Sequence, residues 1–219
     1  MIKTFKPTVA LDIDGVLADF CSPFTRLAVE LGLTDRVTTN AAQETWHFDF
    51  PVDPVWDKVD SMYSFWEGLP TLVDAEDMEA LYALADEAHI IYVTGRRESA
   101  ANQTHRWLQD WDFPEGSVFF VPPKSDKEGV ILPNKHQMIG MLEDKPAVLE
   151  ALAKEGVPMV ARDWPYNRHV SVPRVGSVAA FVERLGVQHR EAVYLMPPSR
   201  DEFVEEWAAE FAAEEEGDA

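Results

Sequence analysis

Residues 8–15 read Thr8-Val9-Ala10-Leu11-Asp12-Ile13-Asp14-Gly15, an apolar run that ends abruptly in Asp12-x-Asp14-Gly15. A short, continuous apolar run is what a parallel strand buried on both faces requires. Two carboxylates two residues apart at its end resist sharing a site unless a cation or proton compensates them. Hard oxygen ligands of this kind suit Mg²⁺, which takes one or two carboxylates, keeps several waters and meets a substrate phosphate. One carboxylate in such a pair can attack phosphorus and the other can move a proton. A polar turn that merely closes a strand draws on the same residue types.

Working outward, further apolar runs alternate with helical patterns. Runs at Ile90–Val93, Val118–Val121, Ile139–Leu142 and Val157–Ala161 read as strands, with a weaker one near Val170–Pro173. Three-to-four spacing of apolar residues marks helices over 19–36, 74–87, 98–111, 147–155 and 177–185. This alternation predicts a doubly wound α/β fold with a parallel sheet. Ligands of such sheets sit beyond the carboxyl ends of the strands. The polar signals fall at those ends: Asp12 and Asp14, then Thr94, the 124–127 region, and Glu143 with Asp144.

The interval between the first two strands is too long for one crossover helix. It predicts a small helical insert over residues 18–73 above a core of 1–17 and 74–190. That insert is rich in aromatics, among them Trp46, Phe48, Phe50, Trp56, Phe65 and Trp66. Residues 191–219 read as a separate element: a helix with a Phe203, Val204, Trp207, Ala208, Phe211 stripe and an acidic tail. The stripe suits either a docked helix or a homodimer contact.

The chain has 219 residues, 46% of them hydrophobic, and a formal net charge of −20. That charge argues against a nucleic acid polymer as partner, since phosphate-backbone binding needs Lys/Arg patches. A small phosphorylated substrate remains compatible, because a bound metal inverts the local field. The single cysteine, Cys21, leaves no internal disulfide and fits a reducing, cytoplasmic setting, with Cys21 itself a core residue. The leading residues lack a signal-peptide pattern, and no apolar run approaches ~18 residues, so no membrane span is expected. The six His residues are scattered, with no two-His helix-face pair for zinc.

Taken in order, Asp12-x-Asp14-Gly15-Val16-Leu17, Val93-Thr94-Gly95-Arg96, a downstream Lys, and Leu142-Glu143-Asp144 resemble the haloacid dehalogenase superfamily of Mg²⁺-dependent phosphatases. Within it the chain is most similar to the 5′(3′)-deoxyribonucleotidases and their bacterial and phage relatives. The stretches carrying that likeness are residues 11–20, Phe65-Trp66-Glu67-Gly68-Leu69-Pro70, Trp107, Glu143-Asp144-Lys145-Pro146, and Asp163-Trp164-Pro165-Tyr166-Asn167. The likeness spans about residues 8–185.

The resemblance implies a phosphomonoesterase acting on (deoxy)nucleoside monophosphates through an aspartyl-phosphate. It implies Asp12 as nucleophile and metal ligand, and Asp14 as general acid and base whose backbone carbonyl also binds Mg²⁺. Thr94 would donate its hydroxyl to the phosphoryl oxygens, with the Gly95 N–H nearby. Asp144 is the implied direct acidic ligand, with Glu143 ligating directly or through water. Lys127 best matches the family's phosphate-neutralising lysine at the start of a helix. Lys135, in Pro133-Asn134-Lys135, also resembles a family pattern, and Lys124 is a third candidate. Thr94-Gly95-Arg96 departs from the Thr-Ser of mammalian-type nucleotidases, which leaves the substrate open.

Several residues carry two readings. Phe65 and Trp66 could stack a nucleobase or form insert core. Arg96 could contact the phosphate or pair with surface carboxylates. Trp107 reads as core, and Tyr166 and Asn167 either border the site or make a turn. The alternatives to a nucleotidase are the same chemistry on a sugar phosphate, or a non-catalytic nucleotide-binding protein on this fold.

Overall fold

The computed structural model describes residues 6–121 and 127–186. The stripe of Phe203, Trp207 and Phe211, the acidic tail and Lys124 lie outside the described residues. Six strands form one parallel sheet: β1 (Thr8–Leu11), β2 (His89–Thr94), β3 (Ser117–Phe120), β4 (Met138–Glu143), β5 (Met159–Arg162) and β6 (Arg174–Val175). Their spatial order is β3-β2-β1-β4-β5-β6, every pair parallel. The chain therefore reverses its direction of travel across the sheet at β1, where β2 lies on one side and β4 on the other. A doubly wound sheet opens its ligand crevice at such a switch point.

Alternation along the central strands feeds two separate cores. Val9 and Leu11 of β1, Leu142 of β4 and Val160 of β5 face one cluster; Ala10, Met141, Met159 and Ala161 face the other. The first core is covered by α1 (Cys21–Glu30), α2 (Asp53–Ser61), α3 (Ala75–Glu87), α4 (Ala101–Asp110) and α7 (Val178–Arg184). The second is covered by α5 (Glu128–Ile131) and α6 (Pro146–Lys154).

Local chemistry sets the helix ends. The helical periodicity over 19–36 predicts a longer α1 than the one that forms. Gly32, at φ +69°, stops it: the Leu33 N–H bonds Ala28 O and the Gly32 N–H bonds Val29 O, a left-handed closing turn. The Asp74 carboxylate caps α3 by accepting from the Asp77 N–H at 3.0 Å. Asp77, itself buried, accepts the Ala179 N–H of α7 at 2.7 Å, while Ser177 Oγ accepts the Ala180 N–H at 3.1 Å. The first turn of α7 is thus held partly by a residue of α3. The strand expected near 170–173 forms instead at Arg174–Val175, where the Asp163 N–H reaches Val175 O. Trp107 is wholly buried, with its indole N–H on Leu69 O at 2.7 Å, as a core tryptophan should be. Cys21 is also buried. Among the described residues no helix is long and apolar enough to cross a membrane.

Between β1 and α3 the chain leaves the sheet and returns. The outgoing and incoming passages lie side by side: the Asp19 N–H bonds Pro70 O at 2.8 Å, and the Leu72 N–H bonds Leu17 O at 2.7 Å. Between these passages sit α1, a 3-10 turn at Asn40–Ala42, and α2. Phe20, Phe24, Phe48, Phe50, Trp56, Phe65 and Trp66 pack together there as a chain of ring contacts.

Replacing Asp77 with Ala strands the Ala179 N–H beside a buried helix start. The expected cost is about 2 kcal/mol, read by urea denaturation. A loss within measurement error would show that α7 does not rely on this link.

Candidate active site

Asp12 follows β1 directly, and its N–H donates to Leu142 O at 3.0 Å, so the ladder continues into the site. Its Oδ1 accepts the Ile13 N–H at 2.8 Å. The chain then turns: Gly15 donates to Ala18 O at 2.9 Å, and Leu17 and Ala18 both donate to Ile13 O at 2.8 Å. Gly15 adopts φ +81°, the left-handed region that side chains rarely enter. A Cβ at Gly15 would also lie 2.0 Å from Asp144 Oδ2. Glycine is what lets this turn close against the end of β4.

Three carboxylates meet there. Ligand oxygens of Asp12, Glu143 and Asp144 all lie within 4.8 Å of one another, and all three side chains are buried. Lys127, immediately before α5, is buried with them. Its Nζ stands 2.7 Å from Asp12 Oδ1 and 2.7 Å from Glu143 Oε2. Burial alone would lower the lysine, but the two carboxylates outweigh it and hold the ammonium well above its usual range. Burial also works against ionised Glu143. The Lys127 charge and hydrogen bonds, with the Lys145 N–H on Oε1 at 3.0 Å, keep it below its ordinary value. Asp12 goes the other way: burial, then the charge of Glu143, push it well up, and Lys127 only partly opposes them. Burial and Glu143 push Asp144 up to about 8.

Three carboxylates against one ammonium leave an excess of two negative charges when all are ionised, the charge of one divalent cation. Asp144 Oδ1 is buried and without a hydrogen-bond partner among the described residues. An all-oxygen donor set, surplus negative charge and an orphaned carboxylate oxygen together fit a hard divalent metal. Both Glu143 oxygens are engaged, Oε2 by Lys127 and Oε1 by the Asp144 and Lys145 N–H groups. Asp12 and Asp144 Oδ1 are therefore the better placed donors. The Asp14 carboxylate stands outside this group.

The turn after β5 supports Asp144. Tyr166 donates its hydroxyl to Asp144 Oδ2 at 2.5 Å, and Asn167 Nδ2 reaches Asp144 O at 3.0 Å and Arg162 O at 2.7 Å. Both border the site. Burial and the negative Asp144 hold the Tyr166 phenol far above its usual value. Trp164 donates its indole N–H to Gly15 O at 2.6 Å. From the other side, buried Asn40 donates to the Tyr166 hydroxyl at 3.2 Å. Sequence reasoning missed Asn40 and the role of Trp164: nothing in their local pattern signals a partner so distant in the chain.

Thr94 ends β2 fully buried, its Oγ1 accepting the Arg96 N–H at 3.1 Å. Gly95 is exposed, with open space around it. Arg96 neither sits in solvent nor pairs with a surface carboxylate, as one expectation held: its buried guanidinium grips Asp14. Phe65 and Trp66, expected either to stack a base or to fill core, are buried. Trp66 packs against Phe20, Trp56 and the Arg96 guanidinium, because this is where the insert buries its apolar surface. Lys135 lies away from the carboxylates, exposed, donating to Glu155 O at 3.0 Å.

A family model described as "5' nucleotidase, deoxy (Pyrimidine), cytosolic type C protein" matches residues 6–190. A Bacillus cereus protein named "Putative nucleotidase" is 32% identical over 101 residues, 46% of this chain and 53% of that protein. A like-named protein of Oceanobacillus iheyensis is 29% identical over 93 residues, 42% of this chain and 50% of that one. The matched stretches thus span about half the length of these curated relatives. Among solved structures, a HAD family hydrolase of Deinococcus radiodurans, described with bound phosphate and sodium, superposes with a TM-score of 0.58. It shares 13% identity and covers 85% of this chain and 99% of its own. A haloacid dehalogenase-like hydrolase of Streptococcus pneumoniae gives 0.55 at 15% identity, over 82% and 98%. At such identities the likeness shows the fold alone.

Substituting Lys127 by Met removes the only ammonium from this cluster among the described residues. Asp12 and Glu143 then face each other uncompensated, and stability is expected to fall by about 3 kcal/mol in chemical denaturation. An unchanged midpoint would mean that the two carboxylates do not depend on Lys127.

Proposed function

The chain belongs to the cytosolic type C 5′-deoxy (pyrimidine) nucleotidase family, and on that premise we propose that it hydrolyses (deoxy)nucleoside monophosphates to nucleoside and phosphate. The observation that carries the reading is Asp12. It is a strand-end carboxylate held beside Lys127 at 2.7 Å and gathered with Asp144 into one oxygen-rich cluster.

In this reading Asp12 attacks the phosphorus, forming an acyl phosphate while the nucleoside oxygen leaves. Asp14 gives a proton to that oxygen, then takes one from the water that splits the intermediate. Thr94, with its hydroxyl at the end of β2, and the Gly95 N–H hold the phosphoryl oxygens. Lys127 spreads positive charge over them and over the Asp12 carboxylate. Most of the rate gain in phosphoryl transfer comes from such placement and charge neutralisation. Mg²⁺, held by Asp12 and Asp144 with the Asp14 carbonyl, would neutralise further charge on the phosphoryl group and orient it. Residues 18–73 act as a cap, a role supported by their narrow attachment at 17–19 and 70–72.

A second reading keeps the chemistry and changes the substrate to another small phosphorylated metabolite, such as a sugar phosphate. The burial of Phe65 and Trp66 favours it, since neither ring is displayed for a base.

Phosphate release from 5′- and 3′-(deoxy)nucleoside monophosphates and from sugar phosphates tests both. Nucleotide hydrolysis is expected with Mg²⁺, suppressed by EDTA, and lowered by Asp12→Asn at least a thousandfold. Release from sugar phosphates alone would favour the second reading. Wild-type protein that binds nucleotide and Mg²⁺ but releases nothing would make it a binding protein. An active Asp12→Asn variant would overturn the covalent route.

A further inference from the structure

Among the described residues Arg96 is the largest charged side chain that is fully buried, and it has no role in the chemistry above. Its side chain is fully buried. Taking such a cation out of water is costly unless it is paired and its donors are satisfied. Here Nη2 stands 2.7 Å from Asp14 Oδ1, and Nε lies 3.0 Å from Oδ2 and 3.2 Å from Oδ1. Two parallel donors meet the two oxygens of one carboxylate, the arrangement that fixes orientation as well as distance.

The guanidinium is itself held. Nη1 donates to the buried Thr104 Oγ1 of α4 at 3.1 Å. Its centre lies 4.9 Å from the Trp66 ring and 5.6 Å from the Trp107 ring. Trp107 is tied to Leu69 O, and the Trp66 N–H to Gln103 Oε1 at 3.1 Å. The insert's return, α4 and the end of β2 therefore converge on one planar cation. A guanidinium stacked and bonded in this way is not free to swing onto a phosphate.

Asp14 differs from its neighbours. Its side chain is 22% exposed, whereas that of Asp12 is 8% exposed and that of Glu143 is fully buried. Its backbone is set by the Gly15 turn, so its two side-chain torsions are the freedom left. Resting on the function proposed above, we infer that Arg96 is a positioning residue for Asp14. It fixes those torsions so that the Asp14 carboxylate meets the leaving oxygen and then the water, and it does not bind the substrate phosphate.

The test compares Arg96→Lys, Asp14→Asn and the double variant on a deoxynucleoside monophosphate. A lysine keeps the charge and loses the fork. Arg96→Lys is expected to lower kcat about a hundredfold with KM within about twofold. Acting through Asp14, it should cost nothing further in the Asp14→Asn background. A raised KM with kcat kept would make Arg96 a phosphate ligand and overturn the inference, as would losses that multiply in the double variant. Should Arg96→Lys fail to fold by circular dichroism, Thr104→Val takes its place. A severalfold fall in kcat at constant KM supports the inference, and an unchanged kcat overturns it. An activity-free readout separates this inference from the function it rests on. The Arg96 Nε–H resonance should be protected from exchange in the wild-type protein and lose that protection in Asp14→Asn. Its absence in the wild type overturns the grip even if phosphatase activity is present, whereas a protected signal without any phosphate release would indict the proposed function.

Discussion

Lys127 between Asp12 and Glu143 is the contact on which the site depends. Each carboxylate lies 2.7 Å from the same nitrogen, and none of the three side chains is more than 8% exposed. Without the ammonium, two strand ends that the sheet places side by side would push apart. With it, Glu143 is spent as a counter-ion and Asp12 remains the carboxylate on which burial and repulsion concentrate. The sheet supplies the adjacency: β1 and β4 are neighbours, and the Asp12 N–H is bonded to Leu142 O. Secondary structure and electrostatics are one constraint here.

Around that contact the protein stiffens each carboxylate by a different means. Asp12 is held by the Ile13 N–H and Lys127, Asp144 by Tyr166, and Asp14 by Arg96. The supports come from different regions: the end of β2, the turn after β5, and through Asn40 the segment between β1 and α3. A site assembled this way resists drift of any one group, the condition for charge placed ahead of a reaction.

Much of this was legible in the sequence, and the physics says which part. Asp12, Thr94, Glu143 and Asp144 each follow an apolar run that burial forces into a central strand, so their gathering at one edge follows from period and order. Trp107 was readable as core from its place on a helix face. The partners that hold them were not. Arg96 meets Asp14 across 82 residues, Asn40 meets Tyr166 across 126, and Trp164 meets Gly15 across 149. No periodicity encodes such pairs; they depend on how loops fold back over the sheet. Arg96 shows the difference sharply, since an acidic chain offers it many surface carboxylates and it pairs instead with one in the site. Lys127 was distinguishable from Lys135 only weakly, because both precede β4 and only three-dimensional placement separates a cluster member from an exposed cation.

The paired passages at 17–19 and 70–72 have a consequence for how such a protein can change over time. Cross-links between backbone groups there hold the two ends of the intervening chain together, so the register of β1 and β2 does not depend on how much chain loops out between them. Lengthening that chain adds little closure entropy, because the cost grows only with the logarithm of length. Insertions and exchanges within it can therefore accumulate while β1 and β2 keep their register. Three anchors limit that freedom, Asn40 on Tyr166, Trp66 over Arg96 and Leu69 O under Trp107, so the stretches free to diversify are those that lie between them.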